Sequence, residues 1–364
     1  MNGELMAAEM AEQPDVLTRV TARAPADTEA VRAVVPAPLA GVVFLARGSS
    51  DNAAVFGRYL AELRAGRPAG LAAPSLYTRY DATVDWGGYL VVALSQSGAT
   101  PEIISTCRAM RAGGAVVLGI TNEPGSALAD AVDLLLSTDA GPERAVPATK
   151  TVTAQLAVLA TVTSALRAGA ANGTPGPGAG TPGAGAGTPG AAEGTPGAVG
   201  GAQAGGTLDG LPGAVAAVLA DPGPVERLAD RWRGLDRLVV AGRGLAYAAA
   251  LETALKVKET TGILAEGIST ADLLHGPIAA VYAGAPVLLV DGGGPADTDL
   301  DELRALLASR RAQAESLPVP PGLPEAVHVI AAVTRGQQLA YELARARHVN
   351  PDAPAHLSKV TATT

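Results

Sequence analysis

Two short stretches of this chain place small hydroxyl residues between an apolar run and a helix start. One is Ser95-Gln96-Ser97-Gly98-Ala99-Thr100, which follows the apolar run Leu90 to Leu94. The other is Gly48-Ser49-Ser50, which follows the run from Val42 to Ala46. A strand that hands over to a helix points backbone N–H groups, and the positive end of the helix dipole, at whatever sits in the turn. The hydroxyls of Ser95, Ser97 and Thr100 add donors that carry no charge. Such a loop suits a phosphate. Turns of this kind also collect Ser, Gly and Thr for capping alone, and Thr100 followed by Pro101 reads as an N-cap and first helical residue. Two loops of one build in a single α/β unit favour a shared ligand, because open parallel sheets bind small molecules at their strand ends.

A second group of candidates lies in the helical stretch AYAAALETALKVKETTG, where Glu252, Lys256 and Glu259 stand at i, i+4 and i+7 and share one face. On most helices that spacing is a solvated salt-bridge ladder. This helix follows the glycine turn Gly242-Arg243-Gly244 at a strand end, and its other face is Ala, Leu and Val, so its charged face is placed to border a cleft. There a carboxylate beside an ammonium can shuttle a proton. His275 precedes Gly276-Pro277 and therefore sits on a turn. It serves there either to bond a nearby carbonyl or as a general acid or base near neutral pH.

Strand-loop-helix units must position these groups. The pattern predicts a short leading helix over residues 4–20, broken at Pro14, then units at 42–64 and 90–112. A strand at 115–120, a helix at 125–131, a strand at 133–137 and a helix at 149–166 follow. Beyond residue 210 it predicts a helix at 213–232, a strand at 237–241, the long helix from 246, a strand at 286–290, and helices at 299–314 and 325–347. Alternation of this kind makes a parallel sheet covered by helices on both faces. Residues 168–210 differ in kind: Gly-Thr-Pro-Gly recurs from Gly173, Gly180, Gly187 and Gly194, with no bulk to bury. That stretch reads as a disordered linker between two halves.

Composition narrows the function. The 364 residues suffice for about two domains. Nearly half are apolar but only 3% aromatic, so the core is built of Ala, Val and Leu. A net charge of −8 with no basic run argues against nucleic acid or an anionic membrane surface as partner. No apolar run reaches the roughly 20 residues of a membrane span, and acidic Glu4, Glu9 and Glu12 stand where a signal peptide is basic. A cytoplasmic chain is expected. The single cysteine, Cys107, shares no metal-ligand spacing with the four histidines and reads as a small core residue. No metal and no cofactor are expected.

Seven segments together resemble the sugar isomerase (SIS) domain family, in particular the isomerase part of glucosamine-6-phosphate synthase. They are EMAEQP at 9–14, ARGSS at 46–50, SQSGAT at 95–100, AGPERAVPATKTVTAQL at 140–156, GRG with ALETALKVKE at 242–259, AEGISTADLLHGP at 265–277, and the tail DAPAHLSKVTATT. The resemblance implies two SIS domains, each a parallel five-stranded flavodoxin-like sheet flanked by helices, over 31–167 and 211–349. A helical lead (1–30) precedes them and an active-site tail (350–364) follows. The stretch 310–325 is shorter than the family's, which leaves the second domain open to being one strand short.

Residue by residue, the resemblance implies that Ser49, Ser50, Ser95, Gln96, Ser97 and Thr100 hold a sugar phosphate, with Val146 and Ser358 beside the sugar. Glu259 would move the proton between C1 and C2, and Lys256 would assist near C2. His275, from the partner subunit of a homodimer, would assist ring opening, and Lys359 would close over the sugar and form a Schiff base with a ketose. The family's synthases also carry a glutaminase domain that is not in this sequence, and a sugar-contacting Ser of the family is Ala148 here. The ending LSKVTATT looks more like the stand-alone glucosamine-6-phosphate deaminase/isomerases, so the expected reaction is not glutamine-dependent. The expected substrate is a phosphorylated amino sugar, isomerised and deaminated. The alternatives are dehydration of N-acetylglucosamine 6-phosphate by the same base, or a non-catalytic sugar-phosphate-binding regulator.

Overall fold

The computed structural model describes residues 3–170, 207–354 and 357–359. The expected linker thus falls mostly outside the described residues, as does the end of the tail. Helices α1 (Glu4–Ala11) and α2 (Gln13–Val34) lead in, followed by β1 (Gly41–Leu45), α3 (Ser49–Ala65), β2 (Ala69–Leu71), α4 (Ser75–Thr78), β3 (Tyr89–Leu94), α5 (Pro101–Ala112), β4 (Val116–Thr121), β5 (Leu134–Ser137) and α6 (Lys150–Ala170). The second half holds α7 (Leu211–Ala220), α8 (Gly223–Trp232), β6 (Arg237–Gly242), α9 (Ala246–Thr261), β7 (Leu264–Ser269), α10 (Thr270–Leu274), β8 (Pro286–Val290), α11 (Thr298–Ser309), β9 (Gln313–Ser316) and α12 (Glu325–Ala346).

The first sheet has five parallel strands in the order β2-β1-β3-β4-β5, the flavodoxin-like winding. The second has four parallel strands in the order β7-β6-β8-β9, the same winding one strand short. After β9 the chain crosses Pro318, Pro320, Pro321 and Pro324 before α12. Proline cannot donate to a ladder, so this stretch makes no fifth strand.

Strands β1, β3, β4 and β8 are almost wholly buried, which explains their unbroken apolar runs. One apolar cluster joins the inner faces of both sheets through α3, α6, α9 and α12. Helices α6 and α12 are buried nearly all round, and the polar side chains of α12 find partners inside the protein: Arg335 donates to Pro318 carbonyl, Gln337 to Thr149 carbonyl and Gln338 to Leu219 carbonyl. At the crossing of α9 and α12, a Cβ on Gly336 would lie 2.1 Å from Thr253 Oγ1, so only glycine permits that approach. Cys107 is fully buried in the core on the far face of the first sheet, and burial pushes its thiol up to about 12. It is inert.

Several local expectations need correction. The leading helix is two helices that meet at Glu12, because Pro14 fits the first turn of a new helix and lacks the N–H that only an interior position needs. The expected helix at 213–232 divides at Asp221-Pro222 into α7 and α8. The helix expected to reach residue 314 ends at Ser309, and residues 313–316 form an edge strand instead. Between β4 and β5 there is only a 3-10 turn at Ala129–Ala131.

The start of α1 is held by Asp352. Its carboxylate accepts the N–H groups of Gly3 (3.1 Å), Leu5 (3.2 Å) and Met6 (2.8 Å) at the start of α1, while its carbonyl accepts Val146 N–H at 2.9 Å. Replacing Asp352 by Ala strips the cap from α1 and is expected to lower stability by about 1–2 kcal/mol. Urea denaturation measures this, and an unchanged midpoint would show that the cap contributes nothing.

Candidate functional site

In the first sheet β1 leads to β2 on one side and β3 leads to β4 on the other, so the carboxyl ends of β1 and β3 form the switch point of the winding. A cavity of about 370 Å³ opens there, within the roughly 300–1,000 Å³ usual for small-molecule sites. Ser49 and Ser50 line it from the start of α3, and Ser95, Gln96, Ser97 and Thr100 from the loop before α5. Val146, Ala148, Thr151, Val152 and Gln155 form the wall at the start of α6. Lys256 and Glu259 enter from α9 in the second half, and Leu357, Ser358 and Lys359 cover the mouth. Every residue given a role by the resemblance lines this cavity except His275, which is exposed at the end of α10.

The loop before α5 is folded on itself. Ser95 Oγ accepts Gly98 N–H at 3.1 Å, and Ala99 N–H donates to Ser97 Oγ at 3.3 Å. Gly98 sits at φ +58°, and a Cβ there would meet Ser126 Oγ at 1.8 Å, so both the backbone and the space demand glycine. Thr100 occupies the N-cap position, as its sequence context predicts. Its hydroxyl makes no capping bond and instead lies 3.4 Å from Ser95 Oγ. At the rim, Arg47 holds Glu102 with two hydrogen bonds of 2.9 and 3.0 Å, which balance its guanidinium.

The charged face of α9 is no surface ladder. Glu252 and Lys256 are 1% exposed, and only Glu259 is partly open. The Lys256 ammonium bonds Glu259 and lies 3.6 Å from Glu252 Oε1. Asn52 of α3 donates to Glu252 at 2.8 Å, tying the triad to the first half. Burial works against the charge on Lys256, but the two carboxylates outweigh it and its ammonium titrates above the usual lysine range. Burial also raises the Glu252 carboxyl, with Lys256 and Asn52 offsetting part of the rise.

Sequence reasoning missed Glu143. Its buried carboxylate accepts Thr149 N–H (2.9 Å), Thr151 N–H (3.2 Å) and the Thr151 hydroxyl (2.6 Å), and so shapes the turn into α6. It also takes the ammonium of Lys359 at 3.1 Å, while Ala145 carbonyl accepts from the same nitrogen at 2.7 Å. The only signal was the carboxylate's place in Gly141-Pro142-Glu143, ahead of two threonines. Below it, Glu9 accepts N–H groups of Arg144 and Ala145, and Glu12 pairs with the buried Lys150 at 2.5 Å. The two glutamates of EMAEQP therefore brace the cavity wall from the N-terminal side.

The second sheet has its own switch point between β6 and β8, with the glycine loop Gly292-Gly293-Gly294 at its end. There the protein supplies the anion itself: Asp297 accepts Gly292 N–H at 2.9 Å and Gly294 N–H at 3.2 Å. A larger cavity of about 860 Å³ lies between α2, α6 and residues 207–209, away from the loops of the first switch point. Its Arg64 is engaged with Ala160 carbonyl at 2.6 Å and Ser164 Oγ at 2.8 Å. No described helix is long and apolar enough to cross a membrane.

Comparisons with known proteins agree with this geometry. The SIS domain model matches residues 41–165 and 233–317. The glutamine–fructose-6-phosphate aminotransferase (isomerizing) of Aeropyrum pernix is 34% identical over 97% of this chain and 56% of its own length. That of Symbiobacterium thermophilum is 34% identical over 69% of this chain and 37% of its own length. The chain thus spans about half the length, or less, of the curated relatives it matches. A solved candidate phosphosugar isomerase from Silicibacter pomeroyi superposes with a TM-score of 0.78 at 28% identity, covering 97% of this chain and 100% of that one. The glucosamine-6-phosphate deaminase of Thermotoga maritima shares the fold, with a TM-score of 0.70 at 19% identity over 99% of this chain and 100% of that one. Two doubly wound sheets, a hydroxyl-lined switch point and a family match over most of both belong together: the chain is a member of the SIS domain family, with the architecture of the phosphosugar isomerases.

Proposed function

We propose that this protein isomerises and deaminates a 2-amino-sugar 6-phosphate, converting glucosamine 6-phosphate and water to fructose 6-phosphate and ammonia. The observation that carries the proposal is that the hydroxyl-lined loops and Glu259 open on one cavity. Ser49, Ser50, Ser95, Gln96, Ser97 and Thr100 hold the phosphate through hydroxyl and backbone donors, with no lysine or arginine required against it. Val146 and Ser358 flank the sugar. The relatives named for fructose 6-phosphate, and the neighbour named as a glucosamine-6-phosphate deaminase, support this substrate class.

Glu259 is the base. Its carboxylate takes the C2 proton of the open-chain aldehyde, the carbonyl oxygen gains a proton, and an enaminol forms between C1 and C2. Return of a proton to C1 leaves an imine at C2, which water hydrolyses to the ketone with release of ammonia. Lys256 orients Glu259 through their ion pair and stabilises the oxyanion that develops beside it. Lys359 covers the site from the tail, where Glu143 can take its proton if the amine is to attack a ketose. His275 lies outside the cavity of its own chain, and in this reading it serves the cavity of a second copy in a homodimer.

Two measurements test this reading. Glu259→Gln is expected to bind glucosamine 6-phosphate nearly as tightly as wild type and to lose turnover by about 10²–10⁴-fold, the usual contribution of a general base. Ammonia release reports the turnover, and unchanged turnover would remove Glu259 from the mechanism. A chromophore without ammonia from the N-acetylated sugar phosphate would replace deamination by dehydration. Lys256→Met leaves two carboxylates facing each other in the interior and is expected to cost about 3–5 kcal/mol of stability. Because the folded-state pKa of Lys256 is raised, its contribution is fully present at neutral pH and is lost as pH climbs past the ordinary lysine value of 10.5. Denaturation midpoints of wild type and variant should therefore converge only in strong alkali. Equal stability at pH 7 would show that the triad does not hold α9.

A further inference from the structure

Gln155 lies on α6, is 1% exposed and lines the cavity, yet its Oε1 has no hydrogen-bond partner. A buried carboxamide oxygen without a partner costs stability, and of the side chains with such an atom among the described residues Gln155 alone lines this cavity, where a ligand can complete it. Its neighbours on the same wall cannot do so. The Thr151 hydroxyl, one turn earlier, is committed to Glu143 at 2.6 Å, and Ala148 and Val152 present only carbon side chains. Across the cavity Lys256 is taken up by its two carboxylates. An amide oxygen is an acceptor, so what completes it must be a donor.

We infer that Gln155 contacts the substrate: its Oε1 accepts a hydroxyl or amino hydrogen from the sugar body, and it selects sugar phosphates that present a donor there. The inference rests on the sugar-phosphate reading of the cavity and adds to it the side chain that reads the sugar as distinct from the phosphate. A site with a buried acceptor discriminates strongly against analogues that cannot satisfy it, because the acceptor is then left bare.

The test uses the full chain with Gln155→Leu, and Gln155→Met as a second apolar variant of similar length. Binding of glucosamine 6-phosphate and of inorganic phosphate is measured by calorimetry, and stability by chemical denaturation. Removing an unsatisfied polar group is expected to leave stability unchanged or raised. Affinity for inorganic phosphate should stay within about twofold of wild type, and affinity for the sugar phosphate should fall by about tenfold or more. Sugar-phosphate affinity equal to wild type in either folded variant overturns the inference, as does a joint loss of stability and of both affinities, which would mark Gln155 as structural. A wild-type protein that binds inorganic phosphate but gains nothing from the attached sugar would instead overturn the sugar-phosphate reading, and this inference with it.

Discussion

A lysine ammonium withdrawn from water has to be matched by carboxylates close at hand, and Lys256 is matched by two. An isolated buried charge is costly enough to neutralise itself, so the triad of Glu252, Lys256 and Glu259 has one arrangement and little freedom to leave it. That rigidity serves position. Asn52 of α3 holds Glu252, α12 presses on α9 at the Gly336 crossing, and Glu259 is left at the cavity wall. The site is made of two halves of the chain, which one apolar cluster joins and the Asn52–Glu252 bond ties at the triad.

The cradle opposite works by a different principle. In a chain of net charge −8, this wall of the cavity presents hydroxyls, amide hydrogens and the starts of two helices, which on the proposed reading meet an anion, and the nearby guanidinium of Arg47 is already balanced by Glu102. Donors of this kind are oriented by backbone geometry and need little reorganisation on binding. The second sheet has the same winding and its own glycine loop, but Asp297 already fills the place an external anion would take. Two copies of one architecture have thus diverged: one presents an open cradle, and the other contributes the helix that carries the charged groups.

Much of this was legible in the residues. Buried parallel strands such as Phe44 to Leu45 and Val91 to Leu94 betray themselves by unbroken apolar runs, and the loops after them by small hydroxyls. Strand β2 is three residues without a pattern, and β7 carries Glu266 and Gly267 with an exposed Leu264 at its start, so neither shows a period. Helices α7 and α8 adjoin in the sequence with no loop of any length between them, and the run Asp221-Pro222-Gly223-Pro224 marks the break. The face of Glu252, Lys256 and Glu259 was visible as a face, but its burial depends on α3 and α12, which are distant in sequence. Glu143 and Gln155 are harder still. What each does is set by partners, or by the lack of one, that only the folded cavity reveals.

The most direct measurement follows deuterium placed at C2 of glucosamine 6-phosphate while the protein turns it over in ordinary water, read by NMR. If the cradle sets C2 beside the Glu259 carboxylate, the label leaves C2 for C1 or for solvent in wild type and stays in Glu259→Gln. Bound sugar phosphate that keeps all its C2 label with wild-type protein would contradict the account.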